Sequence, residues 1–423
     1  MITVACIYTT SHFSGAAVSL AEVLKFLKAE VRPVILTPRG SVSTFFERST
    51  GARLFPVRWL SQFDHTRHGR YRGVRWLVGL RELLMLPGTW LAVRRFAASL
   101  EHDAIDLIHL NEVTGIVPAV LLKRHLRVPL LVHVRAHMGD QSRGLRSRVL
   151  RWLLDSFVDD IICIDETVRQ TLPAGIKSRV QVVHNALNIG DAPQKKSATP
   201  LPAPLESPGS ATRIGIVGSL LRVKGIFEFI ESAVELCKRR DDVVFAFVGS
   251  GVREMGRLRH ALFSRLGLAE NAERIIRSRI EAEGLQDRIL MTGHREDLAT
   301  VYSHLDILCF PSHYNAPGRP IFEAAYFGKP SIVAIENPCA DTLVDGVTGV
   351  AIPAKDSSSL TRAMERLVDN PSERHDMGMA AKDLAERNFR LDRNAGLVLD
   401  IYRRLAAPSS AEPAGSGKRT QST

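Results

Sequence analysis

The sequence contains two series of short apolar segments, each ending in a loop of small or polar residues that leads into an amphipathic helix. The first series opens with residues 2–8 and the loop 14–17, and the second with residues 213–217 and the loop 218–225. Strands that alternate with helices form parallel sheets, because a parallel connection needs a crossover, which is usually a helix. The pattern predicts an α/β fold with two doubly wound domains.

A segment of different composition separates the two series. Residues 191–212 are rich in Pro, Ser and Ala without an apolar period, which predicts an interdomain connection. The chain of 423 residues is long enough for two domains, here residues 1–190 and 213–390. Residues 360–405 are predicted to be largely helical, and the polar tail 409–423 is predicted to be disordered.

The composition excludes several protein classes. No apolar run reaches about 18 residues, so no membrane-spanning helix is expected. Residues 1–8 form a strand pattern without a basic leader, so a signal peptide is not expected. Scattered cysteines in apolar segments indicate reduced cytosolic thiols, with neither a disulfide framework nor zinc-ligand spacing. They are Cys6, Cys163, Cys237, Cys309 and Cys339.

Positive charge is concentrated in the first half of the chain. Residues 1–190 hold 25 Lys and Arg against 15 Asp and Glu, whereas residues 191–423 hold 31 against 30. A basic domain favours an anionic partner, such as a nucleic acid, an anionic lipid or a phosphorylated acceptor. The alternative is a solubilising surface in a protein from an arginine-rich proteome.

Two segments of the first half combine arginines with aromatic residues and leucines. They are residues 66–96 and residues 143–157, the second of which includes Arg146, Arg151 and Trp152. A basic amphipathic helix of this kind can lie in the interface of a bilayer. It can equally be a surface helix whose apolar side packs into the core. Two such segments in one domain favour peripheral membrane contact more than either alone.

Polar residues follow two apolar strands of the first half. His109 and Glu112 lie at the end of one predicted strand, and His133, Arg135 and His137 lie at the end of the next. Ligands of open α/β sheets bind at the carboxyl ends of the strands, so these side chains are candidates for a binding cleft. Each of them taken alone is also compatible with a structural role.

Glycine-containing loops follow several other predicted strands. Gly15 allows a ligand to approach the backbone closely, or allows tight helix packing. In the loop 218–225, Lys224 directly precedes a predicted helix, whose N-terminal end normally repels cations. A cation at this position indicates an anionic ligand.

Residues 311–328 form a further strand–loop–helix unit, with Glu323 in the first turns of the helix. The exposed N–H groups and the dipole of such a helix N-terminus suit a phosphate. A carboxylate one turn deeper can accept hydrogen bonds from a diol such as a ribose. The combination suits a nucleotide-sugar, although an ordinary turn with a solvated Glu323 would have the same pattern.

The same unit resembles the signature of the GT-B glycosyltransferases of family 4, which reads P-S-x-x-E-x-x-G-x-x-x-x-E-A and is followed by G-x-P. The matching residues are Pro311, Ser312, Gly318, Glu323, Ala324, Gly328 and Pro330. Asn315 stands in place of the first carboxylate, so it keeps hydrogen-bonding capacity without the charge. The resemblance is strong over residues 213–355 and weaker over residues 1–190.

The resemblance implies roles for residues of both halves. Lys224 matches the phosphate-binding lysine of the family, and Arg222 is a candidate substitute for the arginine that Ser219 replaces. Arg135 or His137 would lie beside the donor sugar, giving the catalytic set Lys224, Arg222, Arg135 and His137. The other implied contacts are Asn315, Gly318, Arg319 and Pro320 with the donor sugar, and Glu323, Gly15, Gly218, Ser219, Gly249, Gly251 and His294 with the nucleotide.

The fold that the resemblance implies has two Rossmann-like domains facing across a cleft, with a helix at residues 391–408 crossing back to the first domain. The implied reaction is retaining transfer from a nucleotide-diphosphate-sugar to an acceptor, without a cofactor or a metal ion. The basic first half favours a lipid-linked or surface-polysaccharide glycan as acceptor. We expect a cytoplasmic protein, in peripheral contact with an anionic membrane, and no nucleic-acid partner.

Two other functions are compatible with the same fold. One is an epimerase or phosphorylase, although the sequence carries no signature for either. The other is a non-catalytic nucleotide-sugar-binding or scaffold protein, which the replacements at Asn315 and Ser219 suggest.

Overall fold

The computed structural model describes residues 1–11, 14–64, 66, 76–139, 144–188, 200–207, 209–251 and 272–407. Its first sheet has seven parallel strands in the order β3-β2-β1-β4-β5-β6-β7. They are β1 (Ile2–Ile7), β2 (Val31–Pro38), β3 (Arg53–Val57), β4 (Leu107–Leu110), β5 (Leu130–Val134), β6 (Asp160–Cys163) and β7 (Arg179–Val182). Most of these strands are buried on both faces, which is why they are continuous apolar runs.

Helices cover both faces of the first sheet. They are α1 (Gly15–Phe26), α2 (Ser41–Thr50), α3 (Trp76–Ser99), α4 (Ile116–Leu126), α5 (Leu145–Phe157) and the short α6 (Glu166–Gln170). Helices α1 and α2 enclose one apolar core, while α3, α4 and α5 enclose the core on the opposite face. Two separate cores in one sheet domain follow from the alternation of side chains along each strand.

The second sheet has six parallel strands in the order β10-β9-β8-β11-β12-β13. The strands are β8 (Thr212–Val217), β9 (Val243–Val248), β10 (Ile289–Gly293), β11 (Ile307–Phe310), β12 (Ser331–Ala334) and β13 (Gly349–Ile352). The helices around it are α7 (Ala203–Glu206), α8 (Ile226–Arg239), α9 (Ala272–Ala282), α10 (Leu298–His304), α11 (Arg319–Tyr326), α12 (Ser357–Asp369) and α13 (Pro371–Asn388). The prediction of an α/β fold with two parallel sheets is confirmed.

Part of the predicted connection contributes to the second domain. Leu201 and Leu205 are buried in a core that includes the apolar side of α11, and α7 places Leu205 there. Two leucines separated by four residues were too short a pattern to predict this packing. Residues 191–199 of the connection and the predicted tail 409–423 lie outside the described residues. Within the described part of the chain, no helix is long and apolar enough to cross a bilayer.

The last helix, α14 (Leu391–Ala406), follows the second sheet in the chain but packs on the first. Its buried side includes Val398 and Tyr402, which belong to the same core as Val4 of β1 and Leu20 of α1. Arginines of the same helix form ion pairs with the first domain, namely Arg403 with Glu30 and Arg404 with Asp160.

Tyr402 also joins a buried polar group beneath α14. Its hydroxyl lies 2.6 Å from Nδ1 of His109 on β4, and the ring of His109 stacks on that of His133 at 5.7 Å between centroids. Burial, with a contribution from the nearby charge of Arg135, lowers the pKa of His109 to about 3. His109 is therefore neutral and is committed to a structural contact with the last helix, which is one of the two interpretations that the sequence left open.

The contact between Tyr402 and His109 can be tested by removing one hydroxyl. Tyr402→Phe leaves the buried Nδ1 of His109 without its partner, and we expect the free energy of unfolding to fall by about 1–3 kcal/mol, the usual cost of an unsatisfied buried polar group. Denaturant unfolding measures the change.

Tyr326→Phe is the matched control. The hydroxyl of Tyr326 is buried and has no hydrogen-bond partner among the described residues, so its removal is expected to leave the stability unchanged or slightly raised. Equal losses in the two variants would contradict a specific contribution from the His109 contact.

Candidate functional site

Three glycine turns lie side by side at the carboxyl edge of β8, β9 and β10. The N–H of Gly218 donates to the carbonyl of Val248 at 2.9 Å, and the N–H of Gly249 donates to the carbonyl of Gly293 at 2.8 Å. All three glycines have positive φ, at 137° for Gly218, 139° for Gly249 and 71° for Gly293. A Cβ on Gly249 would lie 1.9 Å from the carbonyl oxygen of Gly218, so this edge requires glycine.

Other residues predicted to contact a nucleotide lie along this edge. Ser219 and His294 are exposed beside the glycine turns, and Gly251 lies next to the carbonyl of Leu220. The edge therefore exposes backbone and the side chains of Ser219 and His294 to the solvent.

The loop before α8 packs tightly on the loop after β11. Gly225 has a φ of 75°, and a Cβ there would lie 2.0 Å from the carbonyl oxygen of Pro311. The N–H of His313 donates to the carbonyl of Val223 at 2.9 Å, which fixes the two loops together. The predicted phosphate-binding loop, residues 218–225, and the loop of the signature unit, residues 311–328, are thus packed directly against each other.

Lys224 is placed over this junction. Its Nζ lies 5.3 Å from the centroid of the Phe310 ring and 5.4 Å from that of the Tyr314 ring. Burial lowers the pKa of Lys224, and no carboxylate of the described residues offsets that effect. The guanidinium of the exposed Arg222 lies over the ring of Phe227 at 4.5 Å. Lys224 is thus a half-buried cation held by aromatic rings.

The loop from Asn315 to Gly318 leads into α11. Asn315 has a left-handed backbone with φ of 48°, and its Oδ1 accepts a hydrogen bond from the N–H of Glu336 at 2.5 Å. Gly318 is the N-cap of α11, where a Cβ would lie 2.3 Å from the Phe310 ring. Pro320 occupies the first turn, where its missing N–H removes no helical hydrogen bond. The Phe310 ring therefore contacts both Gly318 and Lys224.

Glu323 is held by two partners inside the second domain. Its Oε1 accepts a hydrogen bond from Nε of Arg319 at 2.5 Å, and its Oε2 accepts one from the hydroxyl of Tyr302 at 2.7 Å. Glu323 is 7% exposed, so it is not a solvated helix residue. Both oxygens are oriented by neighbours.

Arg319 extends from the second domain to the first. Its Nη1 and Nη2 donate to the two oxygens of Glu22 on α1 at 2.8 and 2.9 Å, and Nη1 lies 3.3 Å from Oγ of Ser19. Burial would lower the pKa of Arg319, but the carboxylates of Glu323 and Glu22 outweigh it and raise the pKa. Burial raises the pKa of Glu22 against the influence of Arg319, and the nearby charge of Glu323 adds to the increase.

Arg135 lies at the carboxyl end of β5, within a set of polar partners. Its Nε donates to Oδ1 of Asn111 at 3.0 Å, its Nη1 donates to Oδ1 of Asn185 at 2.6 Å, and its Nη2 lies 3.2 Å from Nδ1 of His133. His137 is buried two residues further along. The structure therefore brings Arg135 together with several of the polar residues predicted for the first sheet edge.

The charges around Arg135 perturb one another. Burial lowers the pKa of Arg135 to about 10, with Glu112 acting in the opposite direction and Arg319 adding to the decrease. Burial raises the pKa of Glu112 to about 7, against the influence of Arg135. Gly15 begins α1 and is exposed, with open space where a Cβ would point. The interaction between Arg135 and Arg319 places the site residues of the two domains near each other.

Sequence reasoning did not identify Glu22, Tyr302 or Tyr402 as site or interdomain residues. Their partners are 21 positions away for Tyr302, 293 for Tyr402 and 297 for Glu22. No local motif marks such a partner. In the described part of the chain, no group of three or more His, Cys, Asp or Glu side chains is arranged to hold a metal ion.

Comparisons with known proteins cover both halves of the chain. The model of the family "Glycosyl transferases group 1" matches residues 199–384, and that of "Glycosyltransferase Family 4" matches residues 13–190. The chain is similar in fold to Anabaena HepE, solved with UDP and glucose. The TM-score is 0.69 at 17% identity, and the match covers 96% of this chain and 100% of the other.

Curated relatives are similar over shorter stretches. The α-D-kanosaminyltransferase of Streptomyces kanamyceticus is 27% identical over 191 residues, which are 45% of each chain. The lipopolysaccharide core biosynthesis mannosyltransferase of Rhizobium leguminosarum bv. viciae is 26% identical over 192 residues, which are 45% of this chain and 51% of that protein. This chain thus spans about half the length of the curated relatives it matches. The two family models, one for each half, show that the chain belongs to the family 4, group 1 glycosyltransferases.

Proposed function

We propose that this protein is a retaining glycosyltransferase that moves a sugar from a nucleotide-diphosphate-sugar to an acceptor. The observation that carries the proposal is Lys224, a half-buried cation with no ion-pair partner in the described part of the chain. A cation that loses hydration without gaining a carboxylate is costly, and an anionic ligand would offset the cost. Its position at the junction of two loops that lead into helices suits a diphosphate.

The diphosphate would be held by Lys224 together with the N-terminal ends of α8 and α11. Helix N-termini offer unpaired N–H groups and a positive dipole end to an anion. As the bond to the sugar breaks, negative charge grows on the leaving diphosphate, so that these fixed donors stabilise the transition state more than the bound substrate. Arg222 and Ser219, which lie in the same loop, would complete this set without a metal ion or other cofactor.

The nucleoside and the sugar would occupy the two sides of this diphosphate site. Glu323, with its two oxygens already oriented, would accept hydrogen bonds from the ribose hydroxyls, and His294 would lie near the base. The glycine turns at Gly218, Gly249 and Gly251 leave room for the nucleotide along the sheet edge. Asn315 uses its Oδ1 for the backbone of Glu336, so its amide NH₂ group would face the donor sugar.

The first domain would complete the sugar site and bind the acceptor. Arg135, near Arg319 in the described structure, and the adjacent His137 would lie beside the sugar, and Gly15 would let the donor approach α1. Relatives support a sugar donor of this class: the name of one describes kanosaminyl transfer, that of another describes mannosyl transfer in lipopolysaccharide synthesis, and HepE was solved with UDP and glucose.

The acceptor would be a lipid-linked glycan presented at an anionic bilayer. Large apolar side chains of α3 and α5 are exposed, including Leu83 at 64%, Leu84 at 74% and Trp152 at 55%. Exposed arginines of the same helices, such as Arg94 and Arg151, provide charge that complements anionic lipids. Both helices flank α4 on the face of the first sheet opposite α14, so they lie on the same side of the first domain.

A panel of nucleotide-diphosphate-sugars tests the proposed reaction. Without acceptor, we expect slow release of the nucleoside diphosphate from one member of the panel, and NMR of the released sugar identifies the anomer. Release with retained configuration supports the proposal. Failure of every donor to bind or to react would contradict it and would favour the non-catalytic scaffold.

Lys224→Met is expected to slow turnover of that donor by about 100- to 1,000-fold, the usual effect of removing one preorganised donor to a developing negative charge. Methionine keeps the length and the aromatic contacts but removes the charge. Lys238→Met is the control, because Lys238 lies in the same domain and pairs with Glu283 at its surface. Unchanged turnover in Lys224→Met would remove this lysine from the diphosphate site.

The double variant Leu83→Glu/Leu84→Glu tests the membrane surface. In flotation with vesicles that contain anionic lipid, we expect the wild type to float at low salt and less at high salt, since salt screens the attraction. The double variant is expected to float several-fold less. Leu397→Glu changes an exposed leucine of α14 on the opposite face and is expected to behave as wild type. A wild type that fails to float at low salt would overturn the membrane proposal.

A further inference from the structure

A chain of hydrogen bonds connects the two domains through the strand–loop–helix unit of residues 311–328. It runs from Glu22 on α1 through Arg319 to Glu323 on α11, and then to Tyr302 on α10. We propose that Glu22 is a positioning residue, which acts through Arg319 to keep Glu323 available to the ribose of the donor. The inference rests on the proposed function, in which Glu323 accepts hydrogen bonds from the ribose.

The geometry of the Arg319 guanidinium explains why Glu323 depends on Glu22. A guanidinium presents a planar fork whose two Nη groups match both oxygens of one carboxylate. Here Glu22 takes that fork at 2.8 and 2.9 Å, so Glu323 receives only the Nε–H, at 2.5 Å. With Tyr302 on its other oxygen, Glu323 keeps further lone pairs for a ligand, because a carboxylate has about four acceptor sites.

Loss of the Glu22 charge would change how the N–H groups of Arg319 are shared between Glu22 and Glu323. The side chain of Arg319 is 17% exposed, so its guanidinium cannot recover full hydration in place of a lost carboxylate. The nearest alternative acceptor is Glu323, four residues away on the same helix. We expect Arg319 to turn its fork toward both oxygens of Glu323, which then compete with the ribose hydroxyls.

The position of Glu22 also links donor binding to the arrangement of the domains. Glu22 is on α1, whose first residue, Gly15, is exposed with open space in front of it. Only when the first domain lies against the second can Glu22 reach Arg319. The orientation of Glu323 therefore depends on contact between the domains, so a donor that needs Glu323 favours the arrangement in which Glu22 and Arg319 are in contact.

Calorimetric titration with UDP, GDP and ADP tests the inference, with the nucleotide that the wild type binds used for all variants. Glu22→Gln keeps the shape of the side chain and removes the charge, and we expect the dissociation constant to rise about tenfold. In an Arg319→Leu background, which has no guanidinium to turn toward Glu323, Glu22→Gln is expected to cause no further rise in the dissociation constant. Glu22→Asp, which keeps the charge, is expected to restore part of the affinity.

Glu30→Gln is the matched control. Glu30 is also a carboxylate of the first domain and pairs with Arg403 of α14, but it has no contact with Glu323. We expect Glu30→Gln to bind as wild type. Melting temperatures of all variants, measured in parallel, separate a loss of folding from a loss of affinity.

The outcomes separate this inference from the proposed function. If the wild type binds none of the three nucleotides, or if Glu323→Gln binds as well as wild type, the ribose role of Glu323 is wrong. If Glu323→Gln weakens binding while Glu22→Gln does not, only the positioning role is wrong. Equal losses for Glu22→Gln in the wild-type and Arg319→Leu backgrounds would also overturn it, because the effect would then not pass through Arg319.

Discussion

The return of α14 to the first sheet is the contact on which the relative placement of the two domains depends. Its apolar side shares a core with strand residues such as Val4 and Cys6, and the Tyr402 hydroxyl forms a hydrogen bond with the buried His109. Burial of several large apolar side chains contributes several kcal/mol, more than any single polar contact across the cleft. The helix thus holds the carboxyl edges of the two sheets near each other. The contacts between those edges are themselves polar.

The architecture and the edge of the site could be predicted because both follow from local patterns. Buried parallel strands are apolar runs, and the predicted apolar segment 213–217 lies within β8. The glycine turns and the signature lie at strand ends, where an α/β sheet binds ligands. The bond between Glu22 and Arg319 could not be predicted, since no periodicity connects residues 297 positions apart. The same limit applies to Leu205, whose burial depends on the facing side of the second sheet.

Two cations near the predicted site have opposite environments. Arg319 has two carboxylate partners, and its pKa is raised despite burial. Lys224 contacts aromatic rings, has no carboxylate partner among the described residues, and has a lowered pKa. An arginine already paired with carboxylates suits a structural link, because its charge is compensated before any ligand arrives. The uncompensated lysine suits a transient anion. The sequence placed both residues in the site, but only the structure distinguishes these two environments.

The contacts between the domains are of two kinds, and the difference bears on how a donor would enter. Beneath α14 the contact is mostly apolar and buried, with the Tyr402–His109 hydrogen bond among its few polar members. At the cleft, by contrast, Glu22 meets Arg319, and Asp341 accepts a hydrogen bond from the N–H of Glu166 at 2.8 Å and lies 2.9 Å from Nε2 of His184. Apolar packing is lost only by exposing the core, while half-buried polar groups can exchange one partner for water or a ligand at low cost. A displacement of one domain relative to the other would therefore break the polar contacts before it disrupts the packing of α14.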